Sequence, residues 1–455
     1  MATLLENVNI IKEQVSRMKT ALDLPQNTPL EDVTTTLEEG GGKVDIVNGT
    51  VEGGFYAKSG TIEPYTFVNT SVMTSLTTLS ITGTYNDVAR LDDDHCVIVS
   101  HSSSTLYVNV FKGTSRVAQT SLSTGSSATY NVCTAEDGVN IFVLIGGIGY
   151  ESKVVHYTFN NNSLTKIAEK TTEGKSTNYY MYSLGISYLK LSGTTHTCLI
   201  GTKVDDWCYC GVAQFTGSSI TCGSLVGLHD NHNYGMDFGG FAKISDTAAL
   251  VCVTNITNSS GNTGVGAYRL SISGTTITKT ALSGSPTRQP KVFRVNDKLI
   301  LVANRETSTY NVIIDKYTIS GSSVTYNGAQ TVGYYGTSTP YVTAMEKIDD
   351  TNFLLAHTYY DSSSTLKYRP CVVDGTSLTF GTEVGISQSA TNFKKIIKTG
   401  GNKLQLFFNN SVLTGTLSGL TFEVGVKFVT PASGSIDGIT KTVCSTGQTG
   451  EIWKL

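Results

Sequence analysis

The stretch Ile272-Ser273-Gly274-Thr275-Thr276-Ile277-Thr278 reads as a β-hairpin in miniature: a strand end, a glycine that turns the chain, and a strand that resumes on β-branched residues. Six relatives of it occur: FKGTSRV at 111–117, FNNNSLT at 159–165, FTGSSIT at 215–221, ISGSSVT at 319–325, VDGTSLT at 373–379 and TLSGLTF at 416–422. Their turn residues are Gly113, Asn161, Gly217, Gly274, Gly321, Gly375 and Gly419, at successive spacings of 48, 56, 57, 47, 54 and 44. Gly, or Asn in its place, is what a turn with positive φ selects.

Working outward, an apolar run precedes each hairpin at a consistent distance. These runs include Cys96-Val97-Ile98-Val99, IFVLIG at 141–146, HTCLIG at 196–201, AALVCV at 248–253, KLILVA at 298–303, FLLAHT at 353–358 and KLQLFF at 403–408. An acidic or Asn-containing turn lies just upstream of most of them, as in Asp92-Asp93-Asp94, Glu136-Asp137-Gly138 and Asp349-Asp350. Each unit thus holds four short strands in about 50 residues, the pattern of a β-propeller whose blades bury a face that one unit cannot bury alone. The expectation is an all-β protein with a propeller of about seven four-stranded blades over residues 81–430, six or eight remaining open. A further hairpin, Phe55-Tyr56-Ala57-Lys58-Ser59-Gly60-Thr61-Ile62, falls in the stretch 44–80, which is read as connector or closing strands; residues 431–455 form a closing segment.

Composition agrees. Of 455 residues only 15% are charged, 46 are Gly and 111 are Ser or Thr, with 23 Tyr. A disordered chain would carry more charge and fewer aromatic and β-branched residues. A coiled-coil rod would be rich in Ala, Glu, Lys and Leu, and a membrane protein would show apolar runs of about 20 residues, which are missing. Lys and Arg number 33 against 36 Asp and Glu, so no nucleic-acid partner is expected. Residues 44–455 carry 29 charges of each sign. A near-neutral surface rich in hydroxyl groups suits glycans better than polyanions.

Residues 1–43 are expected to be a short helical anchor. Leu4, Val8, Ile11, Val15, Met18 and Leu22 form a heptad seam, followed by Thr28-Pro29-Leu30-Glu31 as a helix start and by Gly40-Gly41-Gly42 as a hinge. That seam either packs on the β domain or drives oligomerisation or docking. The opening MATLLENVNIIKEQ has no signal-peptide pattern, and nine cysteines without zinc-ribbon spacing fit folding in a reducing compartment. Cys208, Cys210 and Cys222 offer a soft-metal set, although Cys-x-Cys on a strand shares a face anyway. Neither metal nor cofactor is expected.

Two polar clusters stand out as binding candidates. His229, Asp230, Asn231, His232, Tyr234 and Asp237 form the densest polar loop, able to ligate a metal or grip a sugar, or simply to turn the chain between blades. Asp205, Asp206, Trp207 and Tyr209 set an aromatic face beside paired carboxylates, which a sugar's C–H face and hydroxyls require; a hairpin turn with a packed Trp is the plainer reading. Tyrosine pairs at 179–180, 334–335 and 359–360 should each send one ring outward, because strand side chains alternate. No nucleophile elbow, phosphate loop or His-Glu-x-x-His helix is present, and nothing nominates a glycosidase carboxylate pair.

The chain ends carry a resemblance. Glu6-Asn7-Val8-x-x-Ile11-Lys12 and Thr28-Pro29-Leu30-Glu31-Asp32-Val33 resemble the amino-terminal helices of tail proteins from phages and prophages of Gram-positive bacteria. Ile436-Asp437-Gly438-Ile439-Thr440-Lys441-Thr442, with Gly447-Gln448-Thr449-Gly450-Glu451-Ile452, resembles the closing segment of tail fibre and receptor-binding proteins from the same group. The resemblance covers some 60 residues, and the chain departs from a typical fibre in having no long shaft. It implies a virion protein made in the host cytoplasm, attached to baseplate or tail proteins, commonly as a homotrimer. Its β head would bind host cell-wall or surface polysaccharide, without enzymatic activity and without membrane insertion. A propeller-type polysaccharide depolymerase and a purely structural tail component are the alternatives.

Overall fold

The computed structural model describes residues 71–417, apart from 126–127, 148–149, 175–179, 205–206, 229–237, 254–265, 284–289, 306–310, 334–340, 349, 351, 359–364, 382, 390–392, 401–402 and 410, together with strands 41–45, 50–51, 55–56, 438–440, 444–445 and 449–454. The chain divides into two compact units, Asn69–Leu420 and Met1–Val68 with Thr421–Leu455.

The larger unit is a seven-bladed β-propeller. Blade 1 comprises Thr84–Arg90, His95–Ser102, Thr105–Lys112 and Ser115–Ser123; blade 2 comprises Thr129–Thr134, Asn140–Gly146, Lys153–Asn160 and Ser163–Thr171. Blade 3 comprises Met181–Ser192, Thr195–Val204, Trp207–Thr216 and Ser219–Cys222, with Val226–Gly227 added to its third strand. Blade 4 comprises Phe238–Ser245, Ala248–Val253, Ala267–Ser273 and Thr276–Ala281; blade 5 comprises Lys291–Arg294, Leu299–Arg305, Val312–Ser320 and Ser323–Gly333. Blade 6 comprises Tyr341–Lys347, Asn352–Thr358, Thr365–Asp374 and Ser377–Phe380, with Val384–Ser389 added. Every paired strand is antiparallel to its neighbour.

Blade 7 closes the ring with strands from both ends of the unit. Phe393–Thr399, Lys403–Phe408 and Ser411–Leu417 are joined by Ser71–Thr78, which pairs Thr78 with Ser411 and Ser71 with Leu417. The outer strand therefore comes from 71–78. Of the Phe55–Ile62 stretch, Phe55–Tyr56 pairs with Gly438–Ile439 in the other unit, and residues 57–62 lie outside the described residues. The seventh hairpin expected at Gly419 is corrected too, because the strand that ends at Leu417 takes 71–78 as its outer partner.

The other turn assignments have a direct conformational basis. Gly113, Asn161, Gly217, Gly274, Gly321 and Gly375 all have φ between 50° and 60°. Each begins a two-residue loop between the third and fourth strands, as in the Ser273–Thr276 pair. A Cβ on Gly274 would touch nothing within 4 Å, so backbone conformation alone requires glycine there. The first turns are held by charge. Arg90 bonds Asp93, Lys243 lies 2.9 Å from Asp246, and Arg294 and Lys347 each lie 2.5 Å from Asp297 and Asp350. A cation at or near the end of the innermost strand thus clamps the acidic turn three residues on.

The core lies between blades. In the second strand of blade 2, Ile141, Val143 and Ile145 face blade 1, and Phe142 and Leu144 face blade 3. Because both faces are covered, the second strands read as continuous apolar runs rather than alternating ones. Charged stitches cross the inner strands around the closing blade. Lys395 Nζ donates to Val88 O (2.6 Å) and lies 3.3 Å from Asp87 Oδ1; Glu346 accepts the Lys398 amide at 2.7 Å.

In the smaller unit, Gly41–Asp45, Thr449–Lys454, Gly438–Thr440 and Phe55–Tyr56 form one antiparallel sheet in that order, and Thr50–Val51 pairs with Cys444–Ser445. Gly41 and Gly42 pair with Trp453 and Ile452, so two of the three glycines read as a hinge are strand residues. A boundary at residue 43 cuts that strand. The helical anchor with Leu4, Val8, Ile11, Val15, Met18 and Leu22 lies outside the described residues.

Candidate functional site

Antiparallel order sorts the propeller's connections onto two faces. The tight turns between first and second strands, and between third and fourth, share one face. The other, here the loop face, collects the connections between second and third strands and those between blades. In chain order, residues 205–206 come between the second and third strands of blade 3, and 229–237 between blades 3 and 4. Asp205, Asp206, His229, Asp230, Asn231, His232, Tyr234 and Asp237 lie outside the described residues.

Two members of the first cluster are placed. Trp207 opens the third strand of blade 3, half-buried, with Val204 as its register partner. Tyr209 is half-buried and packs against the core between blades 2 and 3. The three cysteines read as a soft-metal set do not converge. Cys208 and Cys210 lie in the core between blades 3 and 4, whereas Cys222 packs against the core between blades 2 and 3, on the opposite face of the sheet. Burial pushes the Cys210 thiol up to about 12 and the Cys222 thiol to about 11, the behaviour of core residues.

The loop face carries an exposed aromatic group that the polar clusters did not reveal. Tyr150, Tyr180 and Tyr182 are 46%, 52% and 37% exposed, and among the described residues the one other large exposed apolar side chain is Leu191. The Tyr150 and Tyr180 rings stack with centroids 6.1 Å apart and planes at 29°. Tyr180 and Tyr182 flank the buried Met181, the first residue of the strand. Tyr180 belongs to the pair 179–180, for which one outward ring was expected.

Local packing holds these tyrosines in place. A Cβ on Gly146 would lie 2.1 Å from Ser183 N and 2.5 Å from Tyr182 C, so only glycine lets blade 3 rest on the end of the blade 2 strand. Next to it, Gly147 N donates to Met181 O at 2.5 Å, and Ser183 N donates to Thr129 Oγ1 at 2.8 Å. On the Tyr150 side, buried Ser152 and Thr172 bond through their hydroxyls (2.7 Å), and Thr172 N donates to Ser152 O (2.7 Å). The signal available in the sequence was the pairing of Gly146-Gly147 with Tyr179-Tyr180-Met181-Tyr182.

Several titratable groups with shifted values lie elsewhere. His156 stacks on Phe142 (5.0 Å, 21°), its Nε2 is 2.7 Å from Asn140 Oδ1, and burial, helped by His196, pushes it down to about 4. In blade 6, burial pushes Glu383 up, but hydrogen bonds from His357 and Lys367 hold it down at about 2. Burial pushes Glu346 up to about 7 despite Lys395, Arg90 and Lys398. On the tight-turn face, Asp92, Asp93, Asp94, Glu136 and Asp137 line an open depression of about 610 Å³. There Asp92 is occupied by the amides of Asp94 and His95, and Asp137 by those of Val139 and Asn140.

No protein-family model and no curated protein matches the sequence. Solved structures do resemble it. The uncharacterized protein lmo1340 from Listeria monocytogenes is 12% identical at TM-score 0.41, covering 73% of this chain and 92% of its own. The WD40 domain of SCAP from fission yeast is 13% identical at TM-score 0.43, covering 75% and 83%. The Aleuria aurantia lectin, solved with α-methyl-L-fucoside, is 13% identical at TM-score 0.38, covering 71% and 96%. At such identities and TM-scores the likeness assigns no role, and the propeller rests on the sheet topology itself.

Proposed function

We propose that the chain is a tail receptor-binding protein of a phage or phage-like particle of Gram-positive bacteria. Its propeller is the head that binds cell-surface glycan without cleaving it, and the unit formed by the two chain ends attaches it to the tail. The observation that carries this reading is the division of the chain. The carboxyl-terminal segments that resemble tail proteins, Gly438–Thr440 and Thr449–Lys454, form a sheet with Gly41–Asp45 directly after the amino-terminal stretch that also resembles them, in a unit distinct from the propeller. One unit therefore gathers both resembling ends, and the ring closes without them. The near-neutral, hydroxyl-rich composition of the remainder suits an uncharged glycan.

Light scattering tests the attachment half. Full-length protein is expected to be an oligomer, most simply a trimer. A variant lacking residues 1–39, which spares strand Gly41–Asp45, is expected to be monomeric with unchanged circular dichroism in the β region. Two monomers would remove the self-association reading of the heptad seam.

A further inference from the structure

Resting on the glycan-binding reading above, we propose that Tyr150, Tyr180 and Tyr182 form a docking platform for the C–H face of a neutral pyranose at the junction of blades 2 and 3. Aromatic rings are ordinarily buried, because each removes a large apolar area from water. Here, of the four large exposed apolar side chains among the described residues, Tyr150 and Tyr180 touch and Tyr182 lies two residues along the chain from Tyr180. Two of them stack, which fixes their planes.

The backbone under the rings is built. Gly146 admits blade 3 to a distance that any Cβ would forbid, and the Gly147 amide and the Thr129 hydroxyl tether residues 181–183. The Ser152–Thr172 bonds anchor the other side. Such rings lose little freedom when a ligand settles on them. A sugar offers one face of C–H bonds to a flat ring and leaves its hydroxyls free for the phenolic oxygens and for water.

Charge around the rings is mixed, with Lys203 the register partner of Tyr182 on the adjoining strand. Glu151, exposed and next to Tyr150, would oppose an anion. Lys153 is engaged by Glu169 at 3.0 Å. The Glu173 carboxylate accepts the Leu225 amide at 3.2 Å.

The experiment is saturation-transfer NMR on the full-length protein. The probes are the methyl glycosides of glucose, galactose, rhamnose and N-acetylglucosamine, with methyl glucuronide as the anionic comparison and purified Gram-positive wall polysaccharide run alongside. At least one neutral glycoside is expected to receive saturation on the C–H protons of one face, more strongly than the glucuronide. Tyr180→Ala and Tyr150→Ala are expected to weaken that binding by about tenfold, the scale of one aromatic contact. Tyr180→Phe should retain most of it, and Leu191→Ser, at the far end of the same strand, should change nothing. If wall polysaccharide binds equally to the wild type and to both alanine variants, the platform is wrong and the glycan reading stands. If the wild type takes up neither polysaccharide nor any glycoside, both fall. A glucuronide preference overturns the assignment to a neutral sugar.

Discussion

Protonation of His156 should destabilise the propeller. Its imidazole is 4% exposed, stacked on Phe142 between blades 2 and 3, and held at about 4, against an ordinary 6.5 in the unfolded chain. A folded value below the unfolded one means that the unfolded chain binds the extra proton first. Stability is therefore fully present above about pH 6.5 and is lost as pH falls towards 4. The full difference of about 2.5 units corresponds to about 3.4 kcal/mol, of which about 2 kcal/mol is already lost at pH 5. Other groups titrate over the same range, so the informative quantity is a comparison with His156→Gln, whose amide reaches Asn140 Oδ1 without a titrating ring. Urea unfolding at pH 7.5 and pH 5.0 should show the wild type losing about 2 kcal/mol more than the variant. Parallel losses in the two proteins, or an imidazole resonance that titrates near 6.5, would refute the reasoning.

Further outcomes follow from single residues. Gly274→Ala forces a Cβ into a turn with φ of 58° and should cost about 1 kcal/mol in urea unfolding, whereas Gly274→Asn combined with Thr275→Gly, which suits the mirror-image turn, should recover most of it. Burial pushes the Asp315 carboxyl up, with Asn304 Nδ2 at 2.8 Å and the Tyr326 hydroxyl at 3.2 Å opposing. A raised folded value penalises the ionised form, so wild-type stability falls as pH rises above the unfolded value of about 3.9; Asp315→Asn should melt higher at pH 7.5, and that gain should vanish at pH 3.5. Removal of residues 1–78 strips the outer strand from Ser411–Leu417, and limited proteolysis should then cut the propeller where removal of residues 1–39 leaves it resistant.

The propeller was legible because its turns repeat a demand on backbone conformation. Six of the seven aligned turn residues, from Gly113 to Gly375, adopt the positive φ for which Gly and Asn are suited. The seventh, Gly419, was misread for a topological reason. A ring must be closed by a strand that is remote in sequence, and an alternating stretch such as Ser71–Thr78 does not say which edge it will join. The acidic turns were legible as turns, but not their partners: Arg90, Lys243, Arg294 and Lys347 stand three residues before the paired Asp, visible only once the innermost strand's end is known.

The aromatic platform was half legible. Alternation predicted one outward ring from Tyr179-Tyr180; Tyr180 is exposed, and Tyr179 lies outside the described residues. Tyr150 comes from another blade, and no local pattern announces a contact that depends on the close approach allowed by Gly146. Local sequence does not say whether an aromatic residue beside carboxylates faces solvent or a neighbouring blade, and Tyr209 packs against the core between blades 2 and 3.

The central claim is that this chain recognises a bacterial surface glycan. Labelled full-length protein, incubated with a panel of Gram-positive cells and read by flow cytometry, tests it most directly. The account predicts binding to a subset of strains, lost when wall polysaccharide is chemically stripped and kept when surface proteins are digested. Binding that survives stripping and disappears on protease treatment would contradict it, and so would no binding to any strain.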